Sequence, residues 1–225
     1  MTTIDRTTAA GHSVAGRTAT TRRLLACGVA AGPTYLAVSA AQVVTRDGFD
    51  LTRHPLSLLS LGSGGWLQIA NFVISGVLFV AGAVGMRRAI TTGIGRTWAP
   101  RLIGFFGFSS VWAGVFVADP MDGFPATTAG TSDPTMHGIL HSIAPVFAFL
   151  ALIAACIVLA RRYFRAGRRG WGIYSAIVGV ALLAPDLLMG RDGFTLALAA
   201  AAVVGWTWVS AVAADLLRTT GYQLS

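Results

Sequence analysis

Six continuous apolar runs alternate with short polar segments along the chain, at 24–44, 66–86, 101–118, 137–160, 171–189 and 194–217. At ~1.5 Å per residue, each is long enough, or nearly so, to cross a hydrocarbon core of about 30 Å. The runs are apolar throughout and show no period-two alternation, so they predict helices and not strands. A helix satisfies its own backbone groups inside lipid, where an open strand cannot. The pattern therefore predicts an all-α polytopic membrane protein with six transmembrane helices. Residues 1–22 are polar and predict a disordered cytoplasmic tail, 23–218 form the transmembrane domain, and 219–225 form a short cytoplasmic tail.

Composition sharpens this picture. The chain is 54% hydrophobic and 12% charged, about half the charge of a soluble domain. The net charge of +8 comes from arginine alone, because lysine is absent and every acid is aspartate. With the N-terminus inside, fourteen of the seventeen arginines fall in inner segments, and only Arg46, Arg53 and Arg191 fall outside. That asymmetry predicts a cell-membrane protein with both termini cytoplasmic. It also explains the basic balance as topology, so the implied partners are membrane lipids and not nucleic acid. Trp66, Trp98 and Trp171 stand at predicted span edges, as interfacial aromatics do. Cys27 and Cys156 lie inside apolar runs without CxxC spacing, which excludes a disulfide framework and a zinc knuckle. Arg22-Arg23 ahead of an apolar run imitates a twin-arginine signal. The repeat described next argues for keeping that first span.

Asp-Gly-Phe occurs three times, at 47–49, 122–124 and 192–194, each time after an odd-numbered span. Two readings stay open: three parallel two-helix units, or a shared turn requirement, for which Asp-Gly is well suited. Either reading pairs spans one with two, three with four, and five with six. His54-Pro55-Leu56-Ser57-Leu58-Leu59-Ser60-Leu61-Gly62 predicts a short interfacial helix in the first outer loop. In the first span Gly28-x-x-x-Gly32 marks close helix packing, and Gln68 and Asn71 are set to hydrogen-bond across helices.

Several of these features occur together in one known pattern. Asp47-Gly48-Phe49-Asp50, Arg53-His54-Pro55-Leu56-Ser57, Ser60-Leu61-Gly62, Gly65-Trp66-Leu67-Gln68 and Asn71-Phe72 resemble the bacterial "domain of unknown function 998" family of integral membrane proteins. Asp119-Pro120 and His137-Gly138-x-x-His141 agree with it. The resemblance covers about residues 24–217 and implies a compact six-helix membrane protein. It implies no activity.

The chemistry-bearing residues gather on the predicted outer face. His137 and His141 are four apart and share a helix face. Asp133 would cap that helix, with Pro134 at its first position. Two imidazoles so spaced can ligate one metal, with Asp119, Asp122 or His54 as a third ligand, and zinc is the metal this donor set would take. The same histidines serve equally as structural or proton-responsive groups. Asp186 lies at membrane depth beside Pro185, where an acid is costly. Its nearest cations in the predicted topology are Arg191 and Arg46. His54, Ser57, Arg53, Asp119, Asp122 and Asp186 form the candidate ligand-binding set. The leading expectation is an outward-facing His/Asp site for a ligand or lipid. The alternatives are a metal-dependent intramembrane lipid hydrolase assisted by Ser57, and a small proton-coupled transporter or envelope sensor.

Overall fold

The computed structural model of the chain describes residues 4–126 and 133–221. The described residues are helical apart from turns and one isolated bridge between Met121 and Phe124. The elements are α1 (Ile4–Thr45), a 3-10 helix (Leu56–Ser60), α2 (Gly65–Ala89), α3 (Trp98–Val115), α4 (Met136–Arg165), α5 (Arg169–Ala181), the single turn α6 (Ala184–Leu187), and α7 (Phe194–Gly221). Among the described residues, five stretches are long and apolar enough to cross a membrane: Gly16–Thr45, Gly65–Ala89, Met136–Arg165, Arg169–Leu187 and Phe194–Thr220. The sixth predicted span is α3. It packs along both α2 and α4, and its 18 residues reach about 27 Å.

The outside of the bundle is apolar. Val84, Phe108, Phe147, Ile157, Ile177 and Val203 are each about half exposed, which suits lipid and not water. The inside is held by small residues and polar bonds. A side chain at Gly28 would meet Gly82 of α2 and Ala213 of α7, and one at Gly76 would meet the backbone of Gly107 in α3. Ser210 of α7 donates to the Gly28 carbonyl and accepts from the Gly32 N–H, both at 3.1 Å. Thus Gly28-x-x-x-Gly32 packs within the bundle, as expected. Between α1 and α2, Gln42 Nε2 donates to Gln68 Oε1 at 2.7 Å, and Asn71 Nδ2 donates to the Tyr35 carbonyl at 3.1 Å.

Several local expectations change. α1 is helical from Ile4, through much of the segment whose composition predicts a disordered tail. No proline precedes Pro33, so nothing stops a helix from propagating back out of the span. The loop-one helix is a 3-10 turn with Pro55 as its N-cap, burying Leu58, Leu59 and Ser60. α4 starts at Met136 with Thr135 as its cap, not at Asp133. The Thr135 hydroxyl accepts from the Gly138 N–H, a bond that Asp133 is too far back along the chain to make. The expected pairing holds for α1 with α2 and for α3 with α4. The third pair differs: α5 packs mainly on α4, α7 packs mainly on α1, and the two meet only lightly. α5 ends at Ala181 and resumes as α6 only after a turn, so little of it runs beside α7.

All three Asp-Gly-Phe glycines have positive φ: 77° at Gly48, 80° at Gly123 and 86° at Gly193. That is the region glycine enters without steric cost, so each copy serves a turn. Two of its phenylalanines meet, Phe49 and Phe124, edge to face at 5.4 Å. Phe194 instead opens α7.

Candidate functional site: a cavity beneath loop one

α4 and α7 come together where Leu152 and Leu182 reach Gly205. Toward the histidine-bearing end they stand apart, and a partly open cavity of about 90 Å³ lies between them. That is several times the ~10–15 Å³ that a single water requires. Ser109, Ser110 and Ala113 of α3, together with Ala144, Ala148 and Phe149 of α4, form one wall. Leu198, Ala199 and Ala202 of α7 form the opposite wall, and Pro55, Leu56 and Ser57 of loop one line it as well. Alanines on both walls leave the space that larger side chains would fill. Trp206 lines the inner end, packed by Tyr35 at 5.3 Å, Phe106 at 4.7 Å and Phe149 at 6.2 Å between ring centres.

His141 supplies the ring nitrogen chemistry of this cavity. It is 5% exposed and lines the wall. Its Nδ1 lies 2.6 Å from the Phe116 carbonyl and 3.1 Å from that of Ala113. A carbonyl only accepts, so Nδ1 carries the proton and Nε2 keeps a bare lone pair. Ser109 and Ser110 donate to the carbonyls of Phe105 and Phe106, four residues back. Their protons are committed, and their lone pairs remain.

The other expected site residues go elsewhere. His54 is 2% exposed but spends both nitrogens on backbone. Nδ1 accepts from the Asp50 N–H at 3.0 Å, and Nε2 donates to the Asp122 carbonyl at 3.3 Å. Its ring lies against Phe49 and Phe124, at 5.5 and 5.4 Å. Arg53 donates to the same Asp122 carbonyl at 2.9 Å. Together they knit loop one to loop two, the latter described only to residue 126 and from 133 onward. Asp50 accepts from the Thr52 hydroxyl and N–H, bonds that hold its carboxyl below the usual range. Asp119 caps α4 from outside: it accepts from the Thr135 hydroxyl at 2.6 Å and the Thr135 N–H at 2.9 Å. Gly138 makes that approach possible, since a Cβ there would lie 1.9 Å from an Asp119 carboxylate oxygen.

His137 is exposed and rests on Phe116 at 5.5 Å. Asp186 is exposed on α6 and forms no ion pair with Arg191 or Arg46. Of the candidate residues, the structure brings Ser57 and His141 to one cavity. No group of three or more His, Cys, Asp or Glu able to hold a metal occurs among the described residues. His141 turns Nδ1 toward α3, and Asp119 is engaged with the start of α4, so the zinc set expected from His137, His141 and Asp119 does not converge.

The arginine-rich end is less plain than its sequence suggests. Asp215 of α7 is 7% exposed and takes a bidentate bond from Arg168, at 2.5 and 2.7 Å. Tyr163 donates to the same carboxylate at 3.2 Å. The Arg168 guanidinium also lies near the rings of Tyr163 and Trp171, at 5.2 and 5.7 Å. An acid near the end of an apolar run was the available signal for this cluster.

One family model covers most of the chain. The family model described as "Protein of unknown function (DUF998)" matches residues 29–215. No curated protein and no solved structure matches the chain.

Proposed function

The chain belongs to the DUF998 family of proteins of unknown function, and from its geometry we propose that it binds the alkyl portion of a membrane amphiphile beneath loop one. The carrying observation is the partly open, mainly apolar cavity between α4 and α7, with His141 and Ser57 on its lining. Pockets that combine apolar walls with a few placed polar groups are what small ligands use. The lining residues Pro145, Phe149, Leu198 and Ala199 are only partly buried, so a chain lying in the bilayer has a short path inward. The arginine asymmetry supports placing the cavity in the outer half of the cell membrane, with both termini cytoplasmic. The aspartates of the outer face serve loop and cap geometry in this reading, and the ligand is held by His141, the serines and apolar contact.

The test is lipid analysis of detergent-purified protein, wild type beside Ala202→Phe and Ala148→Phe. The wild type should retain an amphiphile in amounts comparable to protein, and the filled variants should lose it while staying folded. Equal retention by all three would refute the assignment.

A further inference from the structure

The polar groups lining the cavity share one property, which is that none is charged. His141 is 5% exposed, where an uncharged ring is favoured, and two carbonyls fix its proton on Nδ1, so Nε2 offers a lone pair. Ser109 and Ser110 have spent their protons and offer lone pairs. Ser57 and Tyr35 also line the space, and a hydroxyl can both donate and accept. No arginine and no carboxylate lines the space. Arg46 and Arg53, the nearest loop-one cations, are directed to the carbonyls of Leu61 and Asp122.

From this inventory we infer that the bound amphiphile presents an uncharged hydroxyl to the cavity, as a long-chain alcohol or an acylglycerol does. This rests on the cavity being the ligand site, as proposed above. A hydroxyl both donates and accepts. It can give its proton to His141 Nε2 or a serine oxygen, and its own oxygen can accept from the Ser57 or Tyr35 hydroxyls that also line the space. A carboxylate or phosphate brings negative charge to a site whose lining holds no cation to offset it, which is costly in a low-dielectric site. An ether or methyl ester of the same length accepts but cannot donate, so it leaves His141 Nε2 unpaired. Sites built around a ligand hydroxyl reject analogues lacking it strongly for that reason.

The experiment uses the full chain in lipid nanodiscs with a photoactivatable diazirine analogue of dodecanol, the labelled peptides being mapped by mass spectrometry. Dodecanol, dodecyl methyl ether and dodecanoate compete for labelling. The expected result is labelling on the α4 and α7 wall segments, with dodecanol competing at least about tenfold better than the ether or the carboxylate. His141→Asn should bring dodecanol and the ether to near parity. Its amide nitrogen can keep the Nδ1 bond to the Phe116 carbonyl, while Nε2 is gone. Equal competition by all three, with labelling abolished in Ala202→Phe, would overturn the hydroxyl preference and leave the cavity assignment standing. Stronger competition by dodecanoate would overturn it too. Labelling elsewhere, or unchanged in Ala202→Phe, would overturn both. Should Ala202→Phe not fold, Ala199→Leu at the partly exposed wall takes its place.

Discussion

The two ends of the bundle handle charge in opposite ways. At the arginine-rich end a charge meets a charge: Arg168 clasps Asp215, with Tyr163 closing the carboxylate. At the histidine-bearing end charges meet backbone. Arg46 and Arg53 go to carbonyls, Asp119 and Asp50 accept backbone N–H groups, and no ion pair forms there among the described residues. An ion pair joins two helices at a point, here the start of α5 to α7. Backbone bonds instead fix the path of a loop. One end is therefore a clamp on helices that otherwise meet lightly, and the other is a shaped cover over a space.

If that contrast is right, the clamp should be the costlier to break. Asp215→Ala should destabilise by about 2–4 kcal/mol. That is at or below the usual cost of breaking a buried pair, since the Arg168 side chain is 38% exposed. Thermal unfolding in detergent checks it, and Arg168→Ala in the same background should add little. At the other end, His54→Ala removes a buried ring and two backbone bonds, and should cost about 2 kcal/mol. It should also speed proteolysis in loops one and two, which Asp215→Ala should not do. Gly138→Ala should cost about 1–2 kcal/mol by pushing Asp119 off the α4 cap. The same substitution on an Asp119→Ala background should cost clearly less, as seen by the same unfolding assay. The smallest effect belongs to Thr52→Val, which should let the Asp50 carboxyl rise toward its ordinary value in an NMR titration. Because the folded value is depressed, its contribution is present at neutral pH and is lost as pH falls through that folded value.

What could be read in advance follows from range. The helical runs are legible because hydropathy is a local sum, and five of the six meet the length and hydropathy of a span. α3, with Arg101 in its first turn, is the one that does not, and it packs between α2 and α4. The Gly28/Gly32 packing and the Gln68/Asn71 bonds are legible because small and amide residues have few other uses in lipid. The cavity is not, since it is made of what α4 and α7 fail to fill. Nor is the use of each histidine. Spacing puts His137 and His141 on one face, but only the position of α3 turns His141 toward the Ala113 and Phe116 carbonyls and leaves His137 exposed. The cap of α4 lies two residues beyond Asp133, at Thr135, where Asp119, sixteen positions upstream, completes it.

Thr195, at the start of α7, donates to the Thr52 carbonyl of loop one at 2.8 Å, across 143 residues of chain. A ribosome delivers the first span long before the last. Until α7 enters the bilayer, α1 lacks its Ser210 partner and loop one lacks this anchor. The cover over the cavity is thus among the last parts to be completed during biogenesis. A nascent chain stalled before Phe194 should leave loop one open to protease, and arrival of the final helix should close it.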